Sequence, residues 1–155
     1  MKKTMEVCGY TFSFLQEIEP KQIEAGSIFE YAPQSEYANK DSEKLNQNGS
    51  GTFCKFKLNT EEKAGVYLWV LEGKIIYLGK TGNLRERFNS GYGTISPKNC
   101  YEGGQSTNCK MNKVALETAK AGKRIAIYFL ETDKYNQIEK ELLGKIDTPY
   151  NTQDN

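Results

Sequence analysis

The apolar positions of this chain fall into short runs separated by polar stretches, and three of these runs predict strands. Val66–Leu71 and Lys74–Gly79 are rich in β-branched and aromatic residues, and Glu72-Gly73 between them is a hairpin turn signal. Arg124–Leu130 has a similar composition and predicts a third strand. The pattern indicates a small antiparallel sheet.

The spacing of polar and apolar residues predicts helices around these strands. Asn83 can cap a short helix that carries two arginines. A loop dense in small polar residues over 91–107 precedes a helix that begins at Thr107 or Asn108 and ends near Ala121. The predicted buried face of that helix is Met111, Val114, Ala115, Thr118 and Ala119.

A last helix, capped by Thr132 or Asp133, contains a carboxylate in an unexpected place. At about 100° per residue its apolar stripe consists of Tyr135, Ile138, Leu142, Leu143 and Ile146. Glu139 falls inside that stripe, whereas Glu141 points to the opposite side. A carboxylate in an apolar face is costly unless it is paired or bound to a cation. The helix alone leaves two interpretations open, an ion pair with Arg or Lys and a metal ligand.

The first 60 residues have no comparable regularity. Short apolar runs at Tyr10–Leu15 and Thr52–Leu58 flank a polar stretch over Gln34–Gly51, which predicts a loop or a short helix. No internal repeat is visible. We therefore expect residues 1–60 to be an extension packed on a core formed by residues 61–155.

Composition limits the class of protein. With 155 residues, of which 37% are hydrophobic, the chain can form one domain with a real core. No apolar run approaches the roughly 18 residues of a membrane span, so we expect a soluble, cytoplasmic protein without membrane partners. The four cysteines have no CxxC spacing and no histidine accompanies them, so we expect reduced thiols and no zinc cluster.

The net charge of +1 conceals an uneven distribution along the chain. Residues 1–72 carry 8 basic and 11 acidic side chains, residues 73–124 carry 10 and 3, and residues 125–155 carry 3 and 6. A basic middle third is typical of a surface that binds phosphate. An ordinary lysine-rich helix over 108–123 is the alternative interpretation.

Two tripeptides in this region carry the candidate chemistry. GVY at 65–67 and YLG at 77–79 put Tyr67 and Tyr77 on neighbouring predicted strands, and Lys80 and Arg87 follow closely. Two phenols, a lysine and an arginine are therefore expected on one small surface. Taken alone, the two tyrosines could equally be ordinary half-buried strand residues.

At these residues the chain resembles the GIY-YIG nucleases, over about residues 65–151. In that family two tyrosines, an arginine ten residues after the second, a glutamate on a later helix and a following asparagine form a single-metal site that hydrolyses DNA. The resemblance implies Glu139 as the metal ligand, with one Mg²⁺ or Mn²⁺ per site. The implied site residues are Tyr67, Tyr77, Lys80, Arg87, Glu139 and Asn151. Asn151 could instead be a turn former after Pro149.

Phosphodiester hydrolysis explains why such groups are needed. The reaction requires an activated water, charge stabilisation at phosphorus and help for the departing 3′ oxygen. Without histidine, the base must be a tyrosine, a lysine or a metal-bound hydroxide. A phenol has a reference pKa near 10, so Tyr67 needs a nearby cation such as Lys80 or Arg87. Which tyrosine is the base stays open.

Residues 91–113 supply candidates for contact with double-stranded DNA. Tyr92 is a candidate phosphate contact, and polar side chains in a loop beside a helix can read base edges. The candidate DNA-binding residues are Tyr92, Lys98, Gln105, Asn108, Lys110 and Lys113. Cutting both strands of a palindrome needs two sites, so we expect a homodimer on DNA.

The sequence thus predicts an α/β GIY-YIG domain with a three-stranded antiparallel sheet flanked by helices and an N-terminal extension. The expected function is a Mg²⁺-dependent type II restriction endonuclease, with a possible cognate methyltransferase in the same host. One alternative is a structure-specific repair or mobile-element nuclease, and another is a catalytically inactive DNA-binding module. The sequence leaves open the recognition site, the cleavage offset and the role of residues 1–60.

Overall fold

The structure, a computed structural model, describes residues 2–151 and separates into two compact units. Unit 1 contains the residues up to Ile18, Leu58–Arg87 and the chain from Arg124 onwards. Unit 2 contains Glu19–Lys57 and Phe88–Lys123. The chain therefore passes between the units four times, and neither unit is continuous in sequence. The division into 1–60 and 61–155 stays a prediction.

Unit 1 is built on a five-stranded antiparallel sheet. Its strands are β1 (Thr4–Val7), β2 (Tyr10–Glu17), β5 (Gly65–Leu71), β6 (Lys74–Thr81) and β7 (Ala126–Glu131), in the spatial order β1-β2-β7-β5-β6. The helix α3 (Tyr135–Leu143) belongs to the same unit. The mixed α/β class that the sequence predicts is confirmed.

The prediction of three strands was wrong. The three expected strands are present as β5, β6 and β7. In addition, β2 pairs with the edge of β7 that β5 does not occupy, and β1 pairs with β2. The partner residues of β2 and β7, such as Ser13 and Phe129, lie more than a hundred positions apart in sequence. A local pattern cannot reveal such pairing, because register depends on which surfaces meet in the folded chain.

The turn between β5 and β6 has the backbone conformation that a tight hairpin needs. Glu72 and Gly73 both have positive φ, 50° and 80°. Two consecutive residues with positive φ form the kind of turn whose twist matches that of antiparallel strands. The predicted hairpin, with Tyr67 and Tyr77 on neighbouring strands, is confirmed.

Alternating residues of the sheet face a core that includes α3. Val66, Leu68 and Val70 of β5 and Leu78 of β6 pack in one cluster with Ile138 and Leu142 of α3. Since side chains alternate between the two faces of a strand, the residues between these positions point to the opposite face. The predicted apolar stripe of α3 is confirmed at Ile138 and Leu142.

Two further helices follow the sequence expectations closely. α1 (Leu84–Glu86) begins after Asn83, whose side chain accepts the Glu86 N–H at 3.0 Å, so the predicted cap is confirmed. A π-helical turn over Arg87–Tyr92 continues the chain. α2 (Ser106–Lys120) lies within one or two residues of its predicted ends. None of the helices among residues 2–151 is long and apolar enough to cross a bilayer.

Unit 2 contains little regular strand structure. Its elements are the short hairpin of β3 (Gln22–Glu24) and β4 (Ser27–Ile28), the 3₁₀ turns Pro33–Glu36 and Pro97–Cys100, and α2. A buried amide joins α2 to two other segments of the unit: Asn112 on α2 accepts the Cys54 N–H at 2.9 Å and donates to the Cys54 and Tyr92 carbonyls, both at 2.8 Å. These three bonds satisfy buried backbone groups that lie outside the strands.

Candidate active site

The tyrosine of the first tripeptide packs directly over the glycine of the second. Tyr67 and Gly79 are partners in the β5–β6 ladder, and Tyr67 is only 1% exposed. A Cβ at Gly79 would lie 2.4 Å from the Tyr67 hydroxyl oxygen. Any larger residue would displace the phenol, so Gly79 is needed to hold Tyr67 in this position.

The glycine of the first tripeptide also has a packing reason. A Cβ at Gly65 would lie 2.1 Å from the Leu130 carbonyl oxygen and 2.7 Å from the Phe129 ring, both on β7. Gly65 therefore permits the close approach of β7 to β5 at the end of the strand where Tyr67 lies. Both glycines are explained by the backbone they allow, before any catalytic role is considered.

Tyr77 is on the same sheet face as Tyr67. It pairs with Trp69 across the hairpin, and the two rings meet edge to face with centroids 6.3 Å apart. Tyr67, Trp69 and Tyr77 alternate with the residues that pack against α3, so they point to the face opposite α3. The sequence predicts two phenols, a lysine and an arginine on one surface. The structure places the two phenols on one face, where both are buried. Lys80 pairs with Val66 and lies on the opposite face, towards α3, so the prediction of one shared surface was wrong for the lysine.

Lys80 and Glu139 meet on the other face. The Lys80 Nζ lies 3.6 Å from Glu139 Oε1 and donates to Asn136 Oδ1 at 2.6 Å. The Glu139 side chain is 19% exposed and that of Lys80 is 42% exposed. The structure thus joins the lysine that follows the second tripeptide to the anomalous carboxylate of α3.

The ion pair bears on the two interpretations that the helix pattern left open. Glu139 has a cationic partner, as the simpler interpretation requires, but burial still raises its pKa above the ordinary value and Lys80 offsets this only in part. A half-buried carboxylate with incomplete compensation gains from a further cation. The pairing therefore leaves metal ligation open.

Glu139 is one half-buried carboxylate, a ligand type that a hard cation such as Mg²⁺ accepts. Among residues 2–151 no group of three His, Cys, Asp or Glu side chains is placed to hold a metal ion. Mg²⁺ commonly takes one or two carboxylate ligands and fills its remaining positions with water and substrate phosphate oxygens. A single carboxylate beside an exposed lysine is compatible with that coordination.

Asn151 lies on the outer edge of β6. Its side chain accepts the Leu78 N–H at 2.9 Å and donates to the Leu78 carbonyl at 2.7 Å, and the neighbouring Tyr150 N–H donates to the Ile76 carbonyl at 3.1 Å. β6 is an edge strand, so these bonds pair backbone groups that the sheet leaves open. Asn151 holds in place the strand that carries Tyr77 and Lys80.

Arg87 follows α1 at the end of the loop that leaves β6. The chain from Lys80 is ordered by two bonds: the Asn83 N–H donates to Thr81 Oγ1 at 2.9 Å, and the Arg87 N–H donates to the Asn83 carbonyl at 3.0 Å. The Arg87 side chain is half-buried. Its backbone position is therefore fixed relative to β6 by local hydrogen bonds.

The sequence did not predict as site residues two residues of α3 that lie at this end of β6. Asn136 is the hydrogen-bond partner of Lys80, and a Cβ at Gly82 would lie 3.3 Å from the Tyr135 hydroxyl oxygen. The signal for Asn136 was its position three residues before Glu139, on the same helix face. Tyr135 was assigned only to the apolar stripe, because its hydroxyl cannot be located from spacing.

The predicted DNA-binding residues all belong to unit 2, and burial divides them. Lys98 and Gln105 are exposed, and Lys110 and Lys113 are half-buried. Asn108 is 2% exposed and Tyr92 is fully buried. Neither side chain has exposed surface in this arrangement, so contact of either residue with a base or phosphate requires local adjustment, as does access to the equally buried Tyr67.

The basic middle third of the sequence does not remain a separate basic region. Lys80 pairs with Glu139, and Lys120 lies 3.3 Å from Glu30, so acidic side chains from the flanking thirds neutralise part of it. Lys113 donates to the Ser50 carbonyl and lies over the Phe53 ring at 5.2 Å. The charge distribution along the sequence therefore does not by itself define a phosphate-binding surface.

No family model, no curated protein and no solved structure matches this chain. The resemblance to GIY-YIG nucleases stays a prediction that rests on the residues of unit 1.

Proposed function

We propose that this chain is a Mg²⁺-dependent DNA endonuclease of the GIY-YIG type, which hydrolyses phosphodiester bonds of double-stranded DNA at a specific sequence. The observation that carries the proposal is the contact between Lys80, directly after the second tripeptide, and the half-buried Glu139 of α3, at 3.6 Å. Glu139, a carboxylate whose partial burial is energetically unfavourable, contacts Lys80, the lysine that the resemblance implies. Lys80 lies at one end of β6, the strand that also carries Tyr77.

The side chains divide the work of hydrolysis among them. Tyr67 is the proposed base that accepts the proton of the attacking water, and Tyr77 is the alternative base. Arg87 holds the phosphoryl oxygens with its planar guanidinium as charge develops on them. Glu139 would hold a divalent cation, and such a cation would supply charge neutralisation for the departing 3′ oxygen.

The end of β6 is the suitable place for the scissile phosphate. Tyr67 pairs with Gly79 on one face, and Lys80 reaches Glu139 from the other. A phosphate bound across the strand end near Gly82, which is exposed, can be approached from both faces because β6 is an edge strand. Tyr67 is buried in this arrangement, so access to its hydroxyl requires local adjustment when DNA binds.

The proposed biological role is that of a type II restriction enzyme in the cytoplasm, accompanied by a methyltransferase that protects the host sites. One carboxylate and one Arg87 serve one strand, so a double-strand cut requires two copies of the chain. Sedimentation of the cognate complex tests this requirement. A strictly monomeric complex that makes concerted double-strand cuts would favour the repair or mobile-element alternative.

A catalytically inactive DNA-binding module is a second candidate, favoured by the same ion pair. The ammonium of Lys80 already partly compensates Glu139, as it would in a purely structural pair. In that case the site residues stabilise the sheet and bind DNA without cutting it.

Incubation of the full chain with a sequenced plasmid and Mg²⁺ separates these functions. Discrete fragments that form with Mg²⁺, and do not form when EDTA is present from the start, support restriction. Smeared products, or cutting limited to branched substrates, would support a repair nuclease. Binding without cleavage over a range of Mg²⁺ and Mn²⁺ concentrations would reject the enzyme and favour the module.

A further inference from the structure

Unit 2 contains a cleft that the sequence did not indicate, and three of its six lining residues are lysines. Its open cavity measures about 510 Å³. We call it the lysine cleft, and its lining residues are Glu19, Lys21, Lys55, Phe56, Lys57 and Thr94. Three lysines against one glutamate leave the lining with a net positive charge.

The backbone holds the lysines of the cleft on one side. Lys55 and Lys57 are exposed, whereas Cys54, Phe56 and Leu58 are buried, which is the two-residue alternation of an extended segment. Lys55 and Lys57 therefore point the same way, about 6.6 Å apart along the chain. The same alternation is visible in the apolar run Thr52–Leu58 of the sequence.

Hydrogen bonds place the third lysine and the opposite wall. The Lys21 N–H donates to the Lys55 carbonyl at 2.7 Å, so the two residues are neighbours. The Phe56 N–H donates to the Gly93 carbonyl at 3.1 Å, and a Cβ at Gly93 would lie 2.1 Å from the Phe56 carbonyl oxygen. This close approach brings Thr94 to the edge of the cleft.

The charges of Lys21 and Lys55 remain available to an anion. Their ammonium groups lie over aromatic rings, Lys21 over Phe29 at 5.4 Å and Lys55 over Tyr31 at 5.5 Å. A ring attracts a cation weakly and does not neutralise it. By contrast, Lys120 of the same unit lies against the carboxylate of Glu30.

We infer that Lys21, Lys55 and Lys57 form a binding surface for the phosphate backbone of double-stranded DNA. The inference rests on the proposed function for the identity of the polyanion. A concave cleft with aligned lysines suits a ridge of phosphates, whereas a flat lipid surface would require a larger and more convex basic patch. Phosphate binding carries no sequence information, so these lysines complement exposed side chains such as Gln105 that can read bases.

Binding of a 24-base-pair duplex, measured by fluorescence anisotropy with EDTA and without divalent ions, tests the inference. The variant Lys21→Gln/Lys55→Gln/Lys57→Gln should bind all sequences at least about tenfold more weakly near 0.1 M salt, because none of the three glutamines can neutralise a phosphate. The slope of log affinity against log salt should fall by about 0.9 for each phosphate that is no longer neutralised, hence by about 1.8 for loss of the Lys21 and Lys55 charges.

A matched control removes the same charge elsewhere in unit 2. The variant Lys40→Gln/Lys44→Gln/Lys123→Gln changes three exposed lysines outside the cleft and should bind within about twofold of wild type. Replacement of the three cleft lysines by arginine should preserve binding, which distinguishes removal of charge from misfolding. Equal weakening by the cleft and control variants, or an unchanged affinity of the cleft variant, would overturn the inference.

The outcome is separable from that of the proposed function. If wild type cuts plasmid DNA and the cleft variant binds normally, the cleft inference is wrong and the nuclease proposal stands. If wild type never cuts but the cleft variant binds weakly, the nuclease proposal is wrong and the cleft inference stands. A wild-type protein that binds no duplex at all would overturn the cleft inference, whatever other polyanion it binds.

Discussion

The two units of this protein differ in the hydrogen bonds and packing that stabilise each of them internally. Unit 1 uses regular backbone pairing, with five strands and a helix that packs on one face of the sheet. Unit 2 has two short strands, and a buried side-chain amide, Asn112, satisfies backbone groups that lack strand partners. All six implied site residues lie in unit 1, and all six candidate DNA-binding residues lie in unit 2.

This difference is suited to the two tasks of the proposed function, hydrolysis and DNA binding. Hydrolysis needs groups held within a fraction of an ångström, which strands and helices provide better than loops. Binding of a long polyanion tolerates less exact placement and benefits from loops on a stable frame. We therefore expect substitutions in unit 1 to change the rate of cleavage, and substitutions in unit 2 to change stability or DNA affinity.

The largest effect should come from Glu139→Gln. We expect cleavage to fall at least about a thousandfold while duplex binding stays nearly unchanged, because the amide keeps the shape but not the charge of a metal ligand. Single-turnover cleavage with Mg²⁺ and anisotropy with EDTA measure the two quantities separately.

Glu141→Gln is the matched control on the same helix. Glu141 accepts from the Tyr10 hydroxyl at 2.8 Å and pairs with Lys145 at 3.1 Å, and glutamine can keep the bond from Tyr10. Its cleavage rate should stay within a few-fold of wild type. Wild-type cleavage by the Glu139 variant would show that unit 1 does not use this carboxylate.

The next largest effect tests the frame of unit 2. Asn112→Ala leaves the Cys54 N–H and the carbonyls of Cys54 and Tyr92 without their partner, so the free energy of unfolding should fall by about 3–5 kcal/mol. Urea denaturation measures the decrease, and amide exchange should show it first in unit 2.

Asn39→Ala, at an exposed position of the same unit, is the control and should change the free energy of unfolding by less than about 0.5 kcal/mol. If Asn112→Ala were equally mild, the buried amide would not be what organises unit 2.

A smaller effect concerns the two sheet faces of unit 1. Tyr67→Phe and Arg87→Ala should each slow single-turnover cleavage at least about a hundredfold, the scale expected when a general base or a transition-state charge is removed. Tyr77→Phe should also slow the reaction. Full activity in both Tyr→Phe variants would reject a phenol base and favour a metal-bound hydroxide.

The smallest effect compares the thiols of the two units. Cys8 of unit 1 is exposed, whereas Cys54, Cys100 and Cys109 of unit 2 are buried. Burial raises the pKa of Cys54 to about 12. In the native protein at pH 8, we expect one thiol to react rapidly with a disulfide reagent and the other three to react only as unit 2 opens.

The same pKa shift predicts the direction of a pH effect on stability. The protonated Cys54 thiol is favoured in the fold, so its contribution is complete below the unfolded pKa, near 8.5, and is lost as the pH rises towards the folded value. Denaturation of wild type and Cys54→Ala from pH 8 to 10 measures it. For the thiol prediction above, rapid reaction of all four thiols at pH 8 would contradict the burial of the three cysteines of unit 2.

Local sequence features predicted much of unit 1 and part of unit 2. The Glu72-Gly73 turn, the Asn83 cap and the ends of α2 each depend on a few adjacent residues, and each was confirmed. Glu139 was identified as anomalous because helical periodicity is a local property. Its partner Lys80 was known only as a neighbour of the tripeptide, and the contact between them required the fold.

Only the tertiary structure decided which distant segments meet. The sequence alone specified the hairpin, the helices and the residue types that the proposed chemistry needs, because these follow from backbone preferences over a few positions. Addition of β1 and β2 to the sheet, burial of Asn108 and assembly of the lysine cleft depend on contacts between remote segments. Packing of whole surfaces determines such contacts, so single-residue preferences do not reveal them.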